Sequence, residues 1–376
     1  MSERIWWGWK YVIWLVVAIA ILALIVLPIV TTFLVRNSNL ASSDGVKILQ
    51  QVENFMSQGM LWFAAVWIVF LGGTFASFLN VVSWRVPRGK SILGSSRCPA
   101  CNTPLTFKDN MPFWGWLKNW GHCSTCDASF SVRYFLAELV LGLIFLTVVG
   151  TYLLSGGATL PFRERNPAML LNRMLLEPDT DLLLIAVLHL VALTVLFTFA
   201  LIELGRFAIP NSVFIVGLVI LGLIAVWPGA ILVPWLFPFY VPSETSMFAG
   251  WVAVVLGAAS GFLFGSWFDL RDTNRKIARS VNKHESELSG LIAPQSVRES
   301  QAESQLRFGL TAVGGFAGWQ SVFVVGAIWM LLRLLLYRES HEVEHVKRPR
   351  LISTHSLLLV ATLLHLSTWK WFDFFA

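Results

Sequence analysis

Apolar runs long enough to cross a membrane recur along the chain, separated by shorter polar or basic segments. Runs at 11–35, 60–84, 135–155, 182–205, 209–228 and 247–268 each reach the ~17–25 residues that a helix needs to span hydrocarbon. The run 308–337 divides at the Gly-rich GGFAGW, 314–319, into a short span and a second one over 321–337, and 351–371 makes the last. This pattern predicts an all-α polytopic membrane protein with about nine transmembrane helices. Left undivided, 308–337 would reduce the count to eight.

Composition excludes a soluble core: 56% of the 376 residues are hydrophobic, 13% are charged and mean hydropathy is +0.67. The net charge of +6 does not point to nucleic acid, because the basic residues sit in loops beside apolar spans, where the positive-inside rule accounts for them. Tryptophans at segment ends (Trp6, Trp7, Trp9, Trp84, Trp227, Trp235, Trp369, Trp371) suit interfacial belts. Arg4 and Lys10 precede the first run, which lacks a signal-peptide cleavage pattern and reads as a retained span with a cytoplasmic amino terminus.

Alternation from there puts 36–58, 156–181 and 229–246 outside and 85–134, 206–208, 269–306 and 338–350 inside. Loop 85–134 agrees, with seven basic residues against two acids, as do Arg271, Arg275, Lys276, Arg279 and Lys283 in the polar insertion 269–306. The protein is expected in the cytoplasmic (inner) membrane.

All four cysteines fall in that loop, as CPAC at 98–101 and CSTC at 123–126. Two C-x-x-C knuckles supply four thiolates for a tetrahedral Zn²⁺. Two disulfides are the alternative, and need an oxidising compartment that the basic loop argues against.

FASFLNVVSWRVPRG, the double C-x-x-C, the DNMP…W run and the RYFLAE segment together resemble the amino-terminal half of the type IV prepilin peptidases. Members of that family cleave and N-methylate pilin-like precursors. The resemblance implies an extra helix and external loop at 1–58, an amino-terminal region at 59–155 and a peptidase-like membrane domain at 182–371. It also implies pilin-like or pseudopilin precursors as partners, the bilayer as surroundings, and S-adenosylmethionine as cofactor if methyl transfer is retained.

The family's hydrolysis uses two aspartates on different helices that share a proton and activate water. ALIELGRFAIPN, 200–211, matches the first motif with Glu203 in place of the aspartate. Before TAVGGFAGWQ, 311–320, the second aspartate is replaced by Leu306, or by Gln305 or Leu310 in a shifted register. The nearest carboxylates there are Glu299 and Glu303, so Glu203 with Glu303 is the candidate catalytic pair. The aspartic dyad otherwise reads as degenerate, with Glu203 water-facing and without a proton-sharing partner. A bland role for Glu203 is an ion pair with Arg206 at i+3.

Glu138, at a family position, is a candidate for substrate binding or for an ion pair with Arg133. His189, alone in an apolar run, reads as a packing residue. Two further functions stay open: a non-catalytic scaffold that binds precursors or secretion-machinery proteins, and a solute transporter, for which His189 is the sole mid-span ionisable candidate.

Overall fold

A computed structural model describes residues 45–157, 159–160, 179–205, 207–225, 254–269, 305–338 and 353–368. The first span at 11–35, most of loops 269–306 and 338–350, and Arg206, Glu299 and Glu303 lie outside these residues. The described residues form eight α-helices and no strands: α1 (Gly45–Arg85), α2 (Trp114–Lys118), α3 (Arg133–Val149), α4 (Thr180–Leu204), α5 (Asn211–Ala225), α6 (Val254–Asp269), α7 (Leu306–Arg338) and α8 (Thr354–Thr368). Among the described residues, three stretches are long and apolar enough to cross a membrane: Leu61–Arg88, Arg133–Leu153 and Thr180–Leu204.

Two units divide the chain, Met1–Ile68 with Leu171–Leu176, and Val69–Leu170 with Glu177–Ala376. In the first, α1 begins at Gly45, so part of the segment expected as an outer polar loop is helical instead. That stretch, GVKILQQVENFMSQGM, has no proline and keeps apolar residues at helical spacing, a pattern its balanced charge obscured.

In the second unit α4 is the central helix. Asp179 caps it by accepting from Leu182 N at 3.0 Å, and Leu182, Ile185, Leu188, Leu193, Leu196, Phe199 and Ile202 are all buried. α3, α5, α7 and α8 pack against it. Proline at 210 starts α5, whose first turn bonds back to the Pro210 carbonyl.

One helical stretch covers Leu306–Arg338, yet it doubles back on itself. A Cβ on Gly309 would lie 3.0 Å from the ring of His355, whereas Trp329, twenty residues further on, donates its indole N–H to Thr354 O at 3.1 Å. A straight helix would separate Gly309 and Trp329 by about 30 Å, which adjacent residues 354 and 355 cannot bridge.

Packing on α6 shows the same reversal. Gly265 faces Arg307, Gly261 faces Leu310 and Gly257 faces Gly314, an antiparallel register. Phe264 then meets Phe323, and Phe268 meets Trp329, in parallel register. The turn lies between Gly314 and Ser321, where the sequence placed a division. From Gly309 to that turn is only about 15 Å, half the ~30 Å hydrocarbon thickness. The first arm is therefore shorter than the hydrocarbon it was expected to span. The GxxxGxxxG stripe of α6, Gly257, Gly261 and Gly265, lets the arm approach to backbone contact.

Candidate functional site

The cysteine loop begins where α1 ends. Its two knuckles are near copies. Cys98 N donates to Thr103 O and Asn102 N to Cys98 O, both at 2.9 Å; Cys123 N donates to Ala128 O at 2.9 Å and Asp127 N to Cys123 O at 3.0 Å. Asn102 and Asp127, each directly after the second cysteine of a knuckle, take left-handed φ of 58° and 56°, a conformation that Asn and Asp tolerate better than most residues.

The turns bring Cys98 Sγ to 3.8 Å from Cys126 Sγ and Cys101 Sγ to 3.9 Å from Cys123 Sγ, with all four sulfurs within 4.8 Å of one another. Sulfurs bound to one zinc ion at about 2.3 Å stand about 3.8 Å apart, so the donor set fits a tetrahedral soft cation. All four cysteines are free thiols, which removes the disulfide alternative. Hydrogen bonds with Thr103 bring the Cys101 thiol down to about 6. The amides of Thr125 and Cys126 pull Cys123 down as well. The Ala128 amide pulls Cys126 down too, but the neighbouring sulfurs and burial outweigh it and push that thiol up to about 12. Without a cation the four thiolates repel one another, which is the electrostatic condition a bound metal relieves.

The DNMPFWGW run between the knuckles docks the loop onto the helices. Asp109 closes a capping box with Thr106, receiving Thr106 Oγ1 at 2.6 Å, and accepts from Asn119 Nδ2 at 3.0 Å. Those hydrogen bonds, from Thr106 first, and the Lys118 ammonium hold its carboxyl below the usual range despite opposing desolvation. Phe113 takes φ 61° and lays its ring where a Cβ on Gly73 would be, 2.5 Å from the ring carbon Cζ. Its amide donates to Glu138 Oε2 at 2.8 Å. Glu138 is thus buried as the receptor for the loop. Arg133 instead donates to Leu201 O at 2.6 Å, tying α3 to the last turn of α4, so the two residues do not form the ion pair considered from sequence.

Beside Leu201, the Glu203 carboxylate reaches across to the start of α8. Oε1 accepts from Thr354 N at 3.1 Å, while Oε2 accepts from His355 N at 2.8 Å and lies 2.8 Å from His355 Nδ1. The expectation of a water-facing, unpartnered Glu203 is therefore wrong: its side chain is 12% exposed and that of His355 is 1% exposed. Helix N-termini carry free amides and a partial positive charge, and a carboxylate satisfies both.

Asp269 does the same for α7, accepting from Leu306 N at 3.2 Å and Arg307 N at 3.4 Å. Two carboxylates at the ends of α4 and α6 thus cap the starts of α8 and α7. Gln305, at one register of the missing second aspartate, accepts from Ile209 N at 2.6 Å in the Ile-Pro-Asn turn. Leu306 and Leu310, the other two, are buried and apolar.

Sequence reasoning missed both Asp269 and His355. Asp269 was legible as a carboxylate closing an apolar span; His355 had no local signal, since its partner lies 152 residues away. His189 is buried with its ring edge-on to Tyr152 at 5.3 Å, as expected of a packing residue.

A helical protein with membrane-length apolar stretches and a loop of four convergent cysteines that could hold a metal ion, seated on α1 and α3, is the class that fold and site define. Residues 70–152 match the family described as Bacterial Peptidase A24 N-terminal domain, and through this region the chain is related to the type IV prepilin peptidases. It is 45% identical over 82 residues to a prepilin leader peptidase/N-methyltransferase of Myxococcus xanthus, covering 22% of this chain and 24% of that one. It is 37% identical over 100 residues to a Klebsiella pneumoniae protein of the same name, covering 24% and 43%. With a type 4 prepilin-like proteins leader peptide-processing enzyme of Escherichia coli O78:H11 it shares 36% identity over 89 residues, 19% and 33% of the two chains. The matched regions span less than half of these relatives. No solved structure matches the chain.

Proposed function

We propose that this is a prepilin-peptidase-like protein of the cytoplasmic membrane, with its cysteine loop in the cytoplasm holding a structural Zn²⁺ through Cys98, Cys101, Cys123 and Cys126. Its partners are pilin-like or pseudopilin precursors, which it engages at the cytoplasmic face. The observation carrying this reading is the loop itself: four convergent thiols, seated through Phe113 on Gly73 and Glu138, in the region similar to proteins named for prepilin processing. Methyl transfer, where it is retained, acts on the amino terminus that cleavage exposes and would draw the methyl group from S-adenosylmethionine.

Hydrolysis is a different matter. A proton-sharing pair needs carboxyl oxygens free to hold a proton between them and a water. Both Glu203 oxygens are committed to α8, and Asp269 is committed to α7. Glu203 acts as a helix cap, and the catalytic pairing of Glu203 with Glu303 gains no support from this arrangement. Membranes containing the full chain, mixed with a pilin-like precursor bearing a photo-crosslinker, test the reading by mass analysis. It expects a crosslinked adduct that depends on the intact cysteine loop, with the precursor's leader still attached. Absence of any adduct would contradict it.

A further inference from the structure

At the end of its membrane-length stretch, α1 turns sharply. Gly89 takes φ 66°, and Lys90 N donates back to Arg85 O at 3.0 Å. The Arg85 guanidinium then gathers the next segment: Nη1 donates to the carbonyls of Ser91 (3.4 Å), Ile92 (3.2 Å) and Leu93 (3.3 Å), and Nη2 to Ser95 O (3.2 Å). Residues 91–95 are thereby held within one side chain's reach of the span's last turn. Despite this ordering, Leu93 is 82% exposed and Ile92 is 44% exposed. An ordered loop that displays leucine to water is leaving apolar surface for something else to cover.

The surroundings say what covers it. Arg88 lies between two rings, 4.5 Å from the centroid of Trp84 and 4.2 Å from that of Phe207, and donates to Trp84 O at 2.6 Å. Lys90 Nζ is 4.7 Å from the Trp84 centroid. Arg88 and Lys90 are exposed, and among the described residues neither pairs with a carboxylate. The stacked rings fix where these two cations sit without neutralising them. An exposed tryptophan closing an apolar span, two exposed cations beside it with no carboxylate partner among the described residues, and an apolar loop tip next to them are complementary to one surface, an anionic bilayer interface.

We propose that Trp84–Ser95 is an anchor for anionic phospholipid, in which Arg88 and Lys90 take the headgroup phosphate and Ile92 and Leu93 enter the acyl boundary. Arg85 is a positioning residue, since its donors are spent on the loop. The inference rests only on the membrane setting and stands or falls independently of precursor processing.

The test uses the full chain in mild detergent, titrated with phosphatidylglycerol or phosphatidylcholine and read by native mass spectrometry. Each basic residue near an anionic surface strengthens binding by roughly fivefold. Wild type should therefore prefer phosphatidylglycerol, and Arg88→Gln with Lys90→Gln should lower that preference by about tenfold or more. Millimolar inorganic phosphate should not displace the lipid; displacement would indicate a phosphate pocket and overturn the anchor. Should the double variant fail to fold, the otherwise wild-type chain with benzoylphenylalanine in place of Leu93, irradiated in phosphatidylglycerol nanodiscs, still decides the matter. Lipid adducts are expected. Adducts to protein alone, or an unchanged lipid preference in a folded double variant, would refute the proposal.

Discussion

Glu203 Oε2 lies 2.8 Å from both the backbone nitrogen and the ring Nδ1 of His355, so one carboxylate joins the last turn of α4 to the first turn of α8. Removing a buried acceptor from two amides leaves them unsatisfied, at a cost of about 1–3 kcal/mol. Glu203→Ala should therefore lower thermal stability in detergent by that amount, and His355→Ala should cost less, because the backbone amides keep their acceptor. A double-mutant cycle should give a coupling of about 0.5–3 kcal/mol. Strict additivity would show that the pair is not engaged in solution.

The four thiols should bind one zinc ion per chain, and Cys98→Ser should abolish stoichiometric binding while exposing the loop to protease. Metal binding requires thiolates, so affinity must fall as protons return. Cys101 carries its proton only below about 6, whereas Cys126 is protonated up to about 12 without metal. Loading at neutral pH must then displace the Cys126 proton, and zinc release should steepen as pH drops through about 6. Metal analysis of dialysed protein across that range checks the direction; retention that rises on acidification would contradict it.

Glu138 and Gly73 form the seat of the loop. Glu138→Gln keeps an oxygen acceptor for the Phe113 amide and should change little, but Glu138→Ala should cost about 1–3 kcal/mol. Gly73→Leu, placed against the Phe113 ring, should undock the loop by overpacking at a similar cost. Hydrogen exchange of residues 105–121 should rise in the second and third variants and not in the first.

What the sequence revealed and what it hid follow from the range of the interactions involved. The cysteine pairs and the apolar runs are local patterns, and α3, α4, α5 and α8 lie within a few residues of the expected spans. The turn in the 308–337 run was visible from its glycines. That its first arm returns after about 15 Å was not, because this depends on the stripe at Gly257, Gly261 and Gly265 on another helix. Glu203 was located by motif, yet its role depended on His355, and no local spacing encodes a contact across 152 residues.

The reversal of α7 has a topological consequence. Gly309 and Trp329 both lie near the start of α8, so the segment 338–350 should emerge on the face expected to carry 269–306 and the cysteine loop. Protease-site insertions at about position 344 should be cut from the cytoplasmic side of inverted vesicles. Cutting only from the opposite side would require α7 to cross the membrane undivided.

Glu203 as a cap rather than half of a hydrolytic pair is tested most directly by precursor cleavage in membranes, wild type against Glu203→Gln, with the leader followed by mass. Glutamine keeps one oxygen for α8 and removes the carboxylate's chemistry. The structure predicts slow or no cleavage in both, with precursor crosslinking unchanged. Robust cleavage by wild type that Glu203→Gln abolishes would contradict it.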